Sequence, residues 1–242
     1  MSAGTLYITG AGVSAESGIP TFRGSDGYWT VGSKNYTPQE MATRAMYQRE
    51  PLEFLRWYYQ RFATYRHHGP NPVHHWLADK NLITQNVDGL DGKAGNADYI
   101  AIHGRIDQMT VFHDQDRAAE VVPERTPWEQ VDERQLDASL AQIFRIDGAP
   151  QLDQSYKPYV LLFDEYYTEL YRISEAQARM HRAERMVFMG TSFSVNITMM
   201  ALDAARLRGI PIEVVDPDPV ETWYPNTTYH QMTALDYIEQ AA

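Results

Sequence analysis

TLYITGAGVSAESGIPTFRGSDGYW, Thr5 to Trp29, decides the fold. Its first five residues, Thr5 to Thr9, are mostly β-branched or aromatic and predict a short buried strand. Gly10-Ala11-Gly12 ends that strand, and Ser14, Ala15 and Glu16 follow as helix-compatible residues. A strand turning through G-x-G-x-x-A into a helix is how a dinucleotide-binding unit begins. The glycines admit a pyrophosphate close to the backbone, and the free N–H groups of the helix start hold its charge. Gly10, Ala11, Gly12 and Ser14 are therefore the first candidate cofactor contacts. Taken alone, the same glycines would also serve a plain tight turn.

The next residues separate this chain from an ordinary nicotinamide dehydrogenase. Such an enzyme runs into a second strand ending in Asp or Glu about 20 residues on. Here Gly18, Pro20, Gly24, Gly27 and Gly32 interrupt the stretch, which has no apolar run for a strand. Phe22, Arg23, Tyr28 and Trp29 instead put aromatic rings and a guanidinium on a loop. That composition predicts a lid over a bound cofactor, with Phe22 and Arg23 touching it.

The chain has 242 residues, 43% of them hydrophobic, enough for one sizeable core and a small subdomain. A net charge of −11 disfavours nonspecific attraction to nucleic acid or anionic membrane and is compatible with recruiting lysine-rich segments. The first strand begins by Thr5, leaving no room for a signal peptide, and no 18-residue apolar run exists, so a soluble cytoplasmic protein is expected. The absence of cysteine excludes disulfides, cysteine nucleophiles and thiolate zinc sites.

Short apolar runs at Leu6 to Ile8, Leu82 to Thr84, Tyr99 to Ile102, Tyr159 to Phe163, Met186 to Met189 and Ile212 to Val215 make six candidate strands. Helical stretches separate several of them, notably Tyr167 to Ala183 and Asn196 to Arg208. Unalternating strands with helices between them predict an α/β fold: a Rossmann-like open parallel sheet covered on both faces. Pro38 to Met46 and Pro51 to Arg66 read as helices opening on proline, part of a helical lid region over about 32–80. Asn71 caps the next helix, whose His74 and His75 point about 100° apart and so make a poor metal pair. A last helix is expected over Thr233 to Gln240.

Between about 105 and 157 the composition turns polar, which predicts a small inserted module with its own helix near Trp128 to Phe144. Val121, Val122, Trp128, Leu136, Leu140 and Phe144 are its expected core. His113 and nearby aspartates do not complete a four-ligand set, so no metal is expected.

The remaining candidates sit at strand ends, where open α/β sheets bind ligands. Gln85, Asn86 and Asp88 follow Leu82 to Thr84, although Asn86 and Asp88 would also cap a turn. His103 ends the Tyr99 to Ile102 strand before Gly104, and its imidazole titrates where a general base works. Gly190, Thr191 and Ser192 offer N–H and hydroxyl donors after Met186 to Met189. Asp216 ends the Ile212 strand, where a carboxylate accepts from ribose hydroxyls and repels a 2′-phosphate, favouring NAD over NADP.

GAGVSAESGIPTFRG resembles the signature of the sirtuins, NAD-consuming protein lysine deacylases, and four later segments agree in order and spacing: TQNVDGL (Thr84 to Leu90), His103-Gly104, PYVLLFDE (Pro158 to Glu165) and Gly190-Thr191-Ser192. The resemblance implies one catalytic domain that uses NAD, with His103 as general base and Asn86 and Asp88 holding nicotinamide and ribose. Phe163, Asp164 and Glu165 match a Phe-Gly-Glu segment that pairs with the substrate peptide, with Asp164 in place of glycine. Tyr58 and Arg61, three apart on a helix, resemble the Tyr-x-x-Arg pair that recognises succinyl- or malonyl-lysine, or else are a core tyrosine beside a surface arginine. Two further departures stand out: Asp91 where the family has histidine, and no counterpart of its four zinc-binding cysteines after His-Gly.

The implied reaction removes an acyl group from lysine in a protein or peptide, releasing nicotinamide and 2′-O-acyl-ADP-ribose. Two rivals share the motifs: a NAD glycohydrolase or ADP-ribosyltransferase, favoured by the missing cysteines and altered Phe-Asp-Glu, and a NAD-sensing module without turnover. His103 and Asp88 argue against the last. Acyl group, target proteins and oligomeric state are left open.

Overall fold

The computed structural model describes residues 4–20 and 36–240; Phe22 and Arg23, with the loop expected to form a lid, lie outside them. The strands are β1 (Thr5–Thr9), β2 (Asn81–Thr84), β3 (Ile100–Ala101), β4 (Gly104–Val111), β5 (Glu124–Arg125), β6 (Tyr156–Val160), β7 (Arg185–Met189), β8 (Ile212–Val215) and β9 (Thr227–His230). Six of them form one sheet in the order β3-β2-β1-β7-β8-β9, and every pair is parallel.

The two-residue period of the strands explains the layers. Leu6, Ile8, Ile83, Met186, Phe188 and Ile212 project to one face, against Ala176 and Met180 of helix Ile173–Arg182 and Ile197, Ala201 and Ala205 of helix Asn196–Arg208. Tyr7, Leu82, Val187, Met189 and Val215 project to the other, against Val73, Leu77, Ala234 and Ile238. Strands buried on both faces need no polar alternation, which is why they read as plain apolar runs. The chain leaves β1 toward β2 on one side and returns to β7 on the other, so the strand order reverses beside β1. That is the topological switch point, where such sheets open a crevice at their carboxyl ends.

The six-strand count agrees with expectation, but its membership does not. Tyr159 to Phe163 is absent from the main sheet: β6 pairs antiparallel with β4 in a second sheet, β5-β4-β6. Gly104 makes the change of sheet. Its φ of +81° turns the chain out of β3, and a Cβ there would lie 2.1 Å from the Tyr159 carbonyl oxygen, so β6 passes directly over it. The sixth main-sheet strand is β9, an edge strand whose Thr227, Thr228, Tyr229 and His230 carry no apolar run.

The inserted module does not have a core of its own. Trp128, Leu140 and Phe144 join Phe54, Leu55, Tyr58 and Tyr59 of helix Pro51–Tyr65 in one cluster, whereas Val121 packs on the main sheet's core and Val122 is exposed. Helix boundaries differ where local chemistry intervenes. The expected Pro38 to Met46 helix is two, Pro38–Met41 and Arg44–Arg49, each with a threonine N-cap accepting from the third helical N–H. Tyr167 to Ala183 is a 3₁₀ turn, Glu169–Tyr171, then helix Ile173–Arg182, divided at Arg172 with φ of +57°. The residues after Gly10 form a 3₁₀ helix, Ala11–Ser17. Among the described residues no helix is long and apolar enough to cross a membrane.

Gly104→Ala is expected to cost about 2–4 kcal/mol, combining the positive φ with displacement of β6. Urea denaturation measures it; a loss below about 0.5 kcal/mol would mean that β6 moves aside freely.

Candidate active site

The crevice at the switch point is a cleft of about 750 Å³. The loops after β1 and β7 form its floor. Gly10 N–H donates to the Met189 carbonyl at 3.0 Å and Gly12 N–H to the Gly190 carbonyl at 2.9 Å. A Cβ on Gly12 would fall 2.5 Å from Gly190 Cα, so this junction admits only glycine. Gly10, Ala11, Gly12, Ser14, Gly190, Thr191 and Ser192 all line the cleft.

The loop after β2 supplies the next wall. Asn86 Nδ2 donates to the Gly10 carbonyl and to Ser14 Oγ, each at 3.1 Å, and Ser14 Oγ donates to Asp88 Oδ2 at 2.7 Å. Asp88 Oδ1 accepts from Leu90 N–H at 2.9 Å. Beneath them lies His74, fully buried. Its Nδ1 accepts from Asn71 N–H at 3.2 Å, which leaves the proton on Nε2, 3.4 Å from Ser14 Oγ. Burial holds His74 below its ordinary pKa, with the Asp88 charge opposing. Asp91 is buried three residues after Asp88, and desolvation with that neighbouring charge raises its carboxyl to about 7.

His103 faces these groups from the end of β3. Its Nδ1 lies 2.9 Å from the Gln85 carbonyl oxygen. A carbonyl only accepts, so Nδ1 carries the proton and Nε2 is the acceptor of the neutral ring. Burial pushes the imidazole down to about 4, the bond to Gln85 opposing. Nε2 accepts from the Tyr167 hydroxyl at 2.9 Å, and the two rings stack at 19°. Gln85 is itself held by its Nε2 donating to Thr191 Oγ1 at 3.0 Å. Asp216 lines the far end of the cleft and accepts from Asp218 N–H at 2.9 Å.

Of the residues expected to meet substrate, Tyr58, Phe163 and Glu165 line the cleft. Arg61 and Asp164 are not among the described lining residues. The Arg61 guanidinium lies over the Trp57 ring, 3.4 Å from its centroid, and donates to the Trp57 carbonyl. Asp164 turns outward to accept from Arg44 and Ala45 N–H at 2.6 and 3.0 Å, capping helix Arg44–Arg49 from another segment. Glu165 pairs with fully buried Lys157 and with Arg44, both at 3.3 Å. His113 donates from Nδ1 to the Val111 carbonyl, and among the described residues no group of three or more His, Cys, Asp or Glu is gathered for a metal.

The sequence marks His74 only as half of a poor metal pair and Tyr167 only as the start of a helix, yet both belong to the site. Asn71, three residues before His74, marks a helix start at which the third side chain returns to the cap, and that spacing was the available signal for His74. Nothing local marks Tyr167; only the fold brings it to His103.

The profile of the Sir2 family matches residues 10–197. The chain belongs to the Sir2 family. Curated relatives are 30% identical over 96% of this chain and 90% of their own length, for NAD-dependent protein deacylase 1 of Caldanaerobacter subterraneus subsp. tengcongensis, and 31% identical over 88% and 81%, for NAD-dependent protein deacylase of Aeropyrum pernix. A solved Sir2 homologue in complex with NAD superposes with a TM-score of 0.73 at 26% identity, covering 98% of this chain and 87% of its own. A Sir2 homologue mutant with ADP-ribose gives 0.74 at 25% identity, over 98% and 89%. The sheet described above is thus the fold these structures share.

Because burial depresses His103, the folded chain withholds a proton that the unfolded chain binds between about pH 6.5 and 4. Stability contributed by this group therefore falls as pH drops through that window. Ring ¹⁵N resonances of His103 are expected to stay those of a neutral imidazole from pH 8 down to about 5; protonation near 6.5 would contradict the burial.

Proposed function

We propose that the chain is an NAD-dependent protein lysine deacylase acting on acyl-lysine in peptides or proteins. The observation that carries this is a neutral His103 on the wall of the cleft that Asn86 and Asp88 also line. NAD fits the cleft for three reasons. The Gly12–Gly190 junction leaves bare peptide groups where a pyrophosphate approaches. Asp88 keeps acceptor capacity beyond Ser14 and Leu90 for a carboxamide N–H. Asp216 suits free ribose hydroxyls. NAD supplies the C1′ carbon that the acyl oxygen attacks as nicotinamide leaves. Asp88, held by Ser14, orients the carboxamide; His103 takes a proton from a ribose hydroxyl, whose oxygen attacks the acyl carbon. The bond from that carbon to the lysine nitrogen breaks to release lysine, and water supplies the oxygen that leaves the acyl group as an ester on ADP-ribose.

One observation favours the NAD glycohydrolase or ADP-ribosyltransferase reading. Phe163 N–H already donates to the Ala42 carbonyl at 3.0 Å, which engages a backbone group that a peptide strand would pair with. Nicotinamide release with and without acyl-lysine peptide separates the readings. Peptide-dependent release is expected; peptide-independent release selects the hydrolase, and no release selects a sensor. His103→Ala is expected to lower deacylation about 10²- to 10⁴-fold while calorimetry finds NAD affinity retained. Near-wild-type turnover in that variant would remove the base from the mechanism.

Acyl choice turns on Tyr58 and Arg61. Tyr58 lines the cleft one turn before Arg61, whose guanidinium lies on the Trp57 ring and would have to leave it to meet a terminal carboxylate. Arg61→Met is then expected to weaken succinyl-lysine turnover about tenfold or more and to spare acetyl-lysine. Equal losses on both substrates would take Arg61 out of the acyl pocket.

A further inference from the structure

Nε2 of His103 has one lone pair, and it is already used. The Tyr167 hydroxyl donates to it at 2.9 Å, with both side chains on the cleft wall. A general base must accept from the ribose hydroxyl through that same lone pair, so the phenol must either move away or stand between. The packing around the phenol favours standing between. The Tyr167 ring stacks on the imidazole and packs against the main sheet's hydrophobic cluster, which opposes a swing. The backbone of Ile197, in the first turn of helix Asn196–Arg208, faces the phenol and opposes the rise that burial gives its pKa. The phenol's hydrogen is given to His103, so the oxygen keeps its lone pairs to accept from a ribose hydroxyl. The same helix start stabilises negative charge on the oxygen as its proton departs.

We infer that Tyr167 is a further catalytic residue, a proton relay between the ribose hydroxyl and His103. The inference rests on the deacylase reading with His103 as base. In the step, the ribose O–H bond breaks and a new O–H bond forms on Tyr167. The original Tyr167 O–H bond breaks at the same time, and an N–H bond forms on His103 Nε2. The phenol ends as it began, the imidazole holds the positive charge, and the ribose oxygen keeps the electron pair with which it attacks the acyl carbon. Burial pushes the Tyr167 hydroxyl up to about 12, so it waits as a phenol and not as a phenolate. The bond from His103 Nδ1–H to the Gln85 carbonyl stabilises the imidazolium when it forms. A hydrogen-bonded chain thus runs from the Tyr167 hydroxyl through His103 to the Gln85 carbonyl, with each donor and acceptor matched.

Tyr167→Phe tests this, since it keeps the stacked ring and removes only the hydroxyl. In ligand-free protein the ¹⁵N resonance of His103 Nε2 is expected to move toward that of an acceptor without a partner; an unmoved resonance would overturn the hydrogen bond and the relay with it. With NAD and acyl peptide under single turnover, the variant should lose about tenfold or more in rate with the KM for NAD held. Wild type should give a curved dependence on deuterium fraction, two protons moving together, and the variant a linear one. A linear dependence in wild type, an unchanged rate in Tyr167→Phe, or a loss confined to KM would overturn the relay alone. Full activity of His103→Ala would instead overturn the base assignment on which the relay rests.

Discussion

The contact between Gly12 and Gly190 is the constraint on which the rest of the structure depends. Two loops from neighbouring parallel strands meet with no side chain between them, at a separation that a single methyl group would prevent. Their backbone bonds, Gly10 to Met189 and Gly12 to Gly190, extend the β1–β7 ladder past the ends of the strands. The crevice therefore has a rigid floor of peptide groups. Ser14 leaves that floor one turn later and meets Asp88, Asn86 and His74. Both sides of the cleft are in this way referred to one junction.

Much of this was legible in residue types and spacing. Leu6, Ile8, Met186, Phe188 and Ile212 announce buried parallel strands because both faces are covered, and His103, Asp88 and Asp216 stand where such strands end. The failures have physical causes. β9 is an edge strand, half wet, whose threonines and histidine are chosen for solvent as much as for pairing. β6 looks like a core strand but is carried to another sheet by a backbone turn at Gly104, a long-range event that no local pattern encodes. Tyr167 and His103 are 64 residues apart, and their meeting depends on the path of the chain between. The family resemblance implies Arg61 and Asp164 at the substrate, whereas the ring of Trp57 and the N–H groups that open helix Arg44–Arg49 hold them elsewhere.

The segment after β6 also shows how charge is managed where the chain has no cysteine. Lys157 is sealed from solvent, with the Val160 carbonyl and Glu165 as its partners, and Glu165 is shared with Arg44. Burial lowers the Lys157 pKa and Glu165 opposes that shift. Removing one member of such a cluster strands the others in a dry environment, so its effect on stability exceeds the worth of any one pair. The cluster fastens the Phe163 to Glu165 loop to β6, while Asp164 fastens it to the Arg44 helix. The cleft's mouth is held from two directions.

The shared aromatic cluster beneath that mouth has a consequence for how the molecule comes apart. Trp128 and Phe144 from the small sheet's side interlock with Tyr59 and Phe62 from helix Pro51–Tyr65, ring upon ring. Neither partner can loosen without wetting the other, so amide exchange in the two should report a single cooperative opening. The segment is an insertion in the order of the chain and an integral part of one folding unit in space. A transplanted copy would leave Phe54, Leu55 and Tyr58 behind in water, so the boundary along which evolution or an engineer could exchange it runs through the helix as well.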